Sequence, residues 1–280
     1  MANPNIDELV NSELAPKFVE RKSKHLNERD SARASGRLEG WPVRGISYGG
    51  GITRDEPKPL TINGVVLEGM ESVIYWQVMS LLAEKERNPV EMPVIALDFG
   101  GMYGLPFIKL AKATEESVRQ SKLVYVISNL LFNPSKLSDC ESLKGLNYPE
   151  YDDFFLQNKN QVHYLVLDAE ELRTAKVNLQ NGRCVPLFGN IDLIHENNAL
   201  GKSQLLDLDL LLLGNSLSPY GVFFLGDNDP NNTVNPIAFK IGKRKLLRSG
   251  VDQIDFGATA RYDVYARPKA PTSFLRFSQS

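Results

Sequence analysis

Short apolar runs recur from residue 94 onward, each followed by a longer polar or amphipathic stretch. They are rich in β-branched and aromatic residues and cover residues 94–97, 123–127, 164–167, 191–194 and 222–225. Their starts lie roughly 30 to 40 residues apart, and a parallel strand with its crossover helix takes about 30 residues. Because the runs do not alternate with polar residues, they are typical of strands buried on both faces. The pattern predicts five parallel strands with helices on both faces of the sheet.

The last part of the chain has a different pattern. A helix is predicted around residues 237–247, and Gly250 is a plausible terminator. Two extended runs follow at residues 251–256 and 261–266, with a short link between them. Since this link has no room for a crossover helix, we expect the two strands to pair as an antiparallel hairpin.

The chain before the first strand divides into two parts. Apolar residues at helical spacing predict a helix from Met70 to near Asn88. Residues 1–66 are more polar and include a glycine-rich stretch, so we interpret them as a helical and loop arm that is a candidate active-site lid. Residues 67–280 then form the sheet domain, with an insertion around residues 133–161.

Composition and charge narrow the possible functions. Hydrophobic residues make up 42% and charged residues 24%, which allows a sizeable core. The net charge of -2 lacks the basic excess that favours nucleic acid, and the most apolar segment, residues 205–213, is shorter than the ~20 residues of a membrane span. With two cysteines and no apparent leader, we expect a cytoplasmic protein without a metal site.

A glycine-rich turn follows the first predicted strand. Residues 94–104 read VIALDFGGMYG, which predicts a strand, a tight turn containing Gly100, Gly101 and Gly104, and then a helix. Glycines let the backbone turn sharply and let a ligand lie against it, while the helix start presents unpaired N–H groups. The turn suits a nucleoside cofactor, although a purely structural turn would look the same.

This turn resembles the first motif of the class I S-adenosylmethionine-dependent methyltransferases, an acidic residue followed by alternating glycines. Asp98, Gly100 and Gly104 match the motif, Met102 occupies the middle glycine position, and Gly101 lies beside it. The resemblance implies that these acidic and glycine residues bind the cofactor.

Three later segments resemble the same family. Residues 166–172 (VLDAEEL) are similar to its segment after strand three, which implies that Asp168 and the amide of Ala169 recognise adenine. Residues 190–200 resemble the fourth strand and the loop that faces the methyl donor, and residues 217–225 resemble the turn into strand five.

The resemblance covers about residues 67–267 and implies both a fold and a cofactor. The implied fold is α/β, a Rossmann-like sheet of seven strands in which the terminal hairpin supplies strands six and seven. The implied function is methyl transfer from S-adenosylmethionine, and we expect a small-molecule acceptor. The sequence gives no indication of the oligomeric state.

One position departs from the family pattern. The acidic residue that usually binds the ribose at the end of strand two is replaced by Ser128 and Asn129. Either side chain can hydrogen-bond a ribose, but a charge-assisted hydrogen bond is about twice as strong as a neutral one. Together with Met102, this replacement leaves open a second interpretation, in which the protein is a catalytically inactive methyltransferase fold that acts as a binding or scaffold protein.

A nicotinamide-dependent oxidoreductase is a third possibility. The terminal hairpin and the Asp168-Ala169 motif disfavour it.

Catalytic candidates follow the fourth predicted strand. A sulfonium methyl is already activated, so the rate depends chiefly on in-line placement and exclusion of water, and a base is needed only for some acceptors. His195 is our candidate base for an acceptor hydroxyl, with Glu196 beside it, although a local packing role for His195 fits equally well. We expect Asn197 and, from the arm, Trp41 and Tyr48 to bind the substrate.

Overall fold

The computed structural model describes eleven parts of the chain: residues 15–34, 59–88, 92–101, 104–129, 162–179, 181–196, 199–200, 205–226, 236–254, 262–273 and 275. The helices are α1 Ala15–Ala34, α2 Met70–Arg87, α3 Leu105–Ala113, α4 Glu115–Arg119, α5 Leu206–Ser216 and α6 Pro236–Arg248. The strands are β1 Leu60–Ile62, β2 Val65–Leu67, β3 Val94–Phe99, β4 Leu123–Asn129, β5 Val162–Val166, β6 Lys176–Asn178, β7 Cys184–Pro186, β8 Ile191–Glu196, β9 Leu217–Gly226, β10 Asp252–Ile254 and β11 Tyr262–Ala266.

Seven strands form one sheet in the order β10-β11-β9-β8-β3-β4-β5. The five adjacent strands β9, β8, β3, β4 and β5 are parallel to one another. Strand β11 pairs antiparallel with both β9 and β10. The chain leaves β3 toward β4 and β5 on one side, and later adds β8 and β9 on the other. The predicted five parallel strands and antiparallel terminal hairpin are confirmed, and β3 lies where the order reverses, which is where open α/β sheets bind ligands.

The sheet is covered on both faces, as the apolar runs predicted. All six residues of β3 are buried, and successive side chains point to opposite faces. Ala96 belongs to the core cluster that contains α2 and α3, whereas Leu97 belongs to the cluster that contains α5. Phe18 of α1 is also buried in this second cluster, so the N-terminal helix packs on the α5 side of the sheet.

Several predicted elements have the expected bounds. Helix α2 ends at Arg87, and helix α6 is followed by Gly250 with φ 75°, the left-handed conformation that commonly ends a helix. The sequence did not predict the short β1–β2 hairpin, and the expected boundary at residue 66 falls inside it. Val65 and Leu67 are buried in the α2 core cluster, so this hairpin packs with the sheet domain.

Helix α5 contains the most apolar segment of the sequence. Its apolar residues face the sheet and neighbouring helices, and Asp209 in its first turn is fully buried. No helix within the described residues combines the length and the apolar character required to cross a membrane.

Candidate cofactor site and active site

The glycine turn lies at the carboxyl end of the central strand. Gly100 and Gly104 adopt positive φ angles of 73° and 65°, and Gly104 is the N-cap of α3. The amide of Gly101 donates to the carbonyl of Ser128 at 2.9 Å, which ties the turn to the end of β4. Met102 lies outside the described residues. The strand, turn and helix expected from residues 94–104 are therefore present.

Protein contacts also require glycine at this turn. A Cβ added to Gly100 would lie 2.1 Å from the Cβ of Ala199, and one added to Gly104 would lie 2.2 Å from Cδ1 of Ile127. A Cβ at Gly101 would lie 2.1 Å from Oδ2 of Asp98. Because these neighbours belong to the protein, a bulky side chain at Gly100 would disturb the fold with or without a ligand.

Ser128, the last residue but one of β4, carries an unsatisfied polar group. The residue is fully buried, and its Oγ has no hydrogen-bond partner among the residues that the structure describes. Buried hydroxyls are normally hydrogen-bonded, and an unsatisfied one costs about 1–3 kcal/mol. The hydroxyl occupies the position at which the family resemblance implies a ribose. The backbone of Asn129 completes β4, and its side chain lies outside the described residues.

Asp98 and His195 form a buried hydrogen-bonded pair. His195 Nδ1 lies 2.9 Å from Asp98 Oδ1, and His195 Nε2 lies 3.2 Å from the hydroxyl of Tyr262. The carboxylate accepts only, so it places the ring proton on Nδ1 and leaves Nε2 to accept from Tyr262. The side chain of His195 is fully buried, with the Phe107 ring 6.3 Å away. His195 is thus held between two side chains, and neither contact was predicted from the sequence.

Glu196 points to the opposite face of the sheet. Its carboxylate accepts the amide of Leu200 at 2.9 Å, and the amides of Ala199 and Gly226 also hydrogen-bond to it. Burial raises the pKa of Glu196 to about 7, although these amides oppose the shift. The side chain therefore joins the segment after β8 to the end of β9, which is an anchoring arrangement for the carboxyl edge.

Asp168 lies just beyond β5, where the sequence predicted an adenine site. Arg21 of α1 donates from Nε to Asp168 Oδ2 at 2.9 Å and from Nη2 to Oδ1. The amide of Ala169 also donates to Oδ1, at 2.6 Å. Burial raises the pKa of Asp168, and Arg21 opposes this shift. The predicted adenine acceptor is therefore engaged by the N-terminal helix.

Arg21 also binds a second buried carboxylate. Its Nη1 and Nη2 donate to Asp209 at 2.8 and 2.9 Å, and the Asp209 side chain is fully buried. Burial alone would lower the pKa of the Arg21 guanidinium, but Asp209 and Asp168 raise it overall. No motif in the sequence pointed to this cluster. The available signal was an Asp in an apolar run and an Arg one turn after Phe18.

The expected substrate-binding residues belong to the N-terminal arm and to the segment that follows β8. Trp41, Tyr48 and Asn197 lie outside the described residues, as does the insertion expected around residues 133–161. Of the predicted site residues, the structure brings together the glycine turn with Ser128, and Asp98 with His195. Asp168 and Ala169 lie at the same carboxyl edge of the sheet, at the end of the outer strand β5.

Comparison with known proteins found similarity only among solved structures. No protein-family model and no curated protein matches the chain. The DszA carbon methyltransferase is 13% identical with a TM-score of 0.44, over 72% of this chain and 54% of that chain. The CurJ carbon methyltransferase is 12% identical with a TM-score of 0.40, over 70% of this chain and 54% of that chain.

A TehB-like S-adenosylmethionine-dependent methyltransferase from Corynebacterium glutamicum is 13% identical with a TM-score of 0.37, over 71% of this chain and 97% of that chain. This chain spans about half the length of the two carbon methyltransferases. These identities and TM-scores are low, and the assignment of the fold rests on strand order. That order, with five parallel strands, a terminal antiparallel hairpin and helices on both faces, is the seven-stranded α/β sheet that the sequence predicted.

Proposed function

We propose that the protein is an S-adenosylmethionine-dependent methyltransferase that transfers a methyl group in line to a small-molecule acceptor. The observation that carries this proposal is the glycine turn at the carboxyl end of β3, the strand at which the sheet order reverses. Ligands of open α/β sheets bind at this point. Two of the segments that resemble the family lie along this edge, at the ends of β3 and β5.

The residues at this edge fit the nucleoside end of the cofactor. The buried Ser128 hydroxyl without a partner would hydrogen-bond a ribose, and the turn of Gly100 and Gly101 would lie against the methionine or ribose part. Asp168 and the Ala169 amide would recognise adenine. When bound, the cofactor supplies a methyl group on a sulfonium, which needs no further activation by the protein.

The protein would then contribute placement, water exclusion and a route for the acceptor proton. His195 has both ring nitrogens engaged, with Asp98 fixing the proton on Nδ1. A proton from an acceptor hydroxyl would therefore reach Nε2 by way of the Tyr262 hydroxyl, which gives its own proton to His195. Glu196, on the other face of the sheet, would anchor this carboxyl edge by accepting the Leu200 amide.

A second function is favoured by Arg21. Its guanidinium engages Asp168, and the neutral Ser128 replaces the usual acidic ribose ligand. Both features are expected of a methyltransferase fold that has lost catalysis and serves as a binding or scaffold protein. Such a protein would retain the sheet and its Arg21 contacts and would show no affinity for the cofactor.

Calorimetric titration distinguishes these functions. The native protein should bind S-adenosylhomocysteine, the product that shares the nucleoside and amino-acid parts of the cofactor, and should not bind NADH. Binding of NADH alone would indicate an oxidoreductase and contradict the proposal. Binding of neither, in a protein with a native circular dichroism spectrum and a cooperative melting transition, would favour the scaffold function.

A further inference from the structure

Helix α1 is held to the sheet domain by one face. Phe18 is 2% exposed, and the Arg21 guanidinium stacks over its ring at 4.9 Å from the centroid. Lys22 pairs with Glu171, which follows β5. Among the α1 side chains that the structure describes, Phe18 alone is buried. The helix therefore docks through contacts that include one buried apolar anchor and a set of ion pairs.

The docked helix closes off the predicted adenine acceptor. Arg21 donates to both carboxylate oxygens of Asp168, and the Ala169 amide donates to one of them. The Asp168 side chain is 4% exposed. An adenine amino group needs an accessible carboxylate oxygen, so a nucleoside does not reach Asp168 while α1 is in this position.

Arg21 also explains why two carboxylates lie together in a buried position. Asp168 and Asp209 share one guanidinium, and without it both would be buried with their charges uncompensated. Breaking a buried ion pair by removing one partner is strongly destabilising. Loss of Arg21 therefore favours a state in which α1 has moved away and water reaches Asp168.

We propose that α1 is an autoinhibitory latch in which Arg21 and the adenine of the bound cofactor compete for Asp168. Cofactor binding then requires release of the helix, and docking of the helix weakens cofactor binding by the same factor. This inference rests on the proposed function, because it uses the adenine role of Asp168. It differs from a lid over the acceptor, since the helix covers the nucleoside end of the site.

The test measures affinity for S-adenosylhomocysteine by calorimetry in the full-length chain. Arg21→Gln should bind about 5- to 150-fold more tightly than the native protein, the usual range of coupling between two sites. Phe18→Ala should also bind more tightly, because it weakens docking without changing any charge. Lys24→Gln is the matched control: Lys24 is exposed on the same helix, and its loss removes the same charge without changing affinity.

Hydrogen exchange gives a second measurement. S-adenosylhomocysteine should accelerate exchange in residues 15–34 of the native protein, and Arg21→Gln should accelerate it without ligand. If the native protein binds the ligand and neither Arg21→Gln nor Phe18→Ala binds it more tightly, the latch is refuted while the proposed function stands. If neither the native protein nor these variants bind it, both the proposed function and the latch are refuted.

Discussion

His195 Nδ1 and Asp98 Oδ1 lie 2.9 Å apart in the interior, although the two residues are 97 positions apart in the sequence. The contact joins neighbouring parallel strands, because Asp98 is directly paired with His195 in the register of β3 and β8. The contact connects the glycine turn that follows Asp98 to His195, which we proposed from the sequence as a candidate base. A change at either residue should therefore affect the whole carboxyl edge.

Replacement of His195 should lower the free energy of unfolding much more than replacement of Tyr262, its second hydrogen-bond partner. His195→Ala removes a buried ring and leaves the Asp98 carboxylate without this partner, so we expect a loss of about 3 kcal/mol or more in unfolding free energy. Tyr262→Phe removes a hydroxyl and keeps the ring, so it should cost only about 1 kcal/mol. Urea denaturation of the two variants tests this order. Equal losses would show that the Asp98–His195 pair contributes little beyond packing.

Ser128→Ala should separate ligand binding from stability. Its hydroxyl is buried and has no partner within the described residues, so its removal should leave the ligand-free protein equally or more stable. If the hydroxyl binds the ribose, affinity for S-adenosylhomocysteine should fall by roughly 3- to 10-fold, the loss expected for one neutral hydrogen bond. Melting temperature and calorimetry provide the two measurements.

Ser72→Ala is the matched control for this experiment. Ser72 is also fully buried, but its hydroxyl donates to the Leu67 carbonyl at 2.8 Å. Its removal should destabilise the protein by about 1 kcal/mol and leave ligand affinity unchanged. A Ser128→Ala variant that behaved in the same way would argue for a structural role of Ser128.

Glu196 should make stability depend on pH. Because its pKa in the folded protein is about 7, above the ordinary value of 4.5, the folded state binds a proton more tightly than the unfolded state between these values. The contribution of Glu196 to the free energy of unfolding should thus be complete below pH 4.5 and should be lost as the pH rises through 7. At about 1.4 kcal/mol per pKa unit, the loss amounts to about 3 kcal/mol.

Urea denaturation between pH 5 and 8 checks this dependence. Glu196→Gln should flatten the decline, because the amide does not titrate, whereas Glu86→Gln at an exposed position should leave it unchanged. A decline that persisted in Glu196→Gln would have to be assigned to another titrating group.

Gly104→Ala should test the geometry of the turn. The substitution places a side chain in the left-handed conformation, at a cost of about 1–2 kcal/mol, and brings its Cβ to 2.2 Å from Ile127. With the added overpacking we expect a total loss of about 3 kcal/mol. Gly182→Ala has a similar φ of 78° and nothing within 4 Å, so it should incur only the conformational cost. Equal losses of unfolding free energy in the two variants would contradict the close approach to Ile127.

The sequence by itself determined the main elements of the sheet. The runs at residues 94–97 and 123–127 predicted two of its buried strands, because a strand between two helix layers has no polar face to interrupt the apolar run. The short link between the runs at residues 251–256 and 261–266 excluded a crossover helix and so determined the antiparallel end of the sheet. The turn at Gly100 was identifiable because its backbone requirement is local and few residues satisfy it.

Tertiary structure alone decided which polar groups are partners. Arg21 meets Asp168 across 147 positions, and His195 meets Tyr262 across 67, so neither contact leaves a local pattern in the sequence. The orphaned hydroxyl of Ser128 likewise appears only once the surrounding chain has excluded water. Local spacing determines the elements, because backbone and side-chain preferences act within a few residues. Burial and pairing of charges depend on residues that only folding brings together.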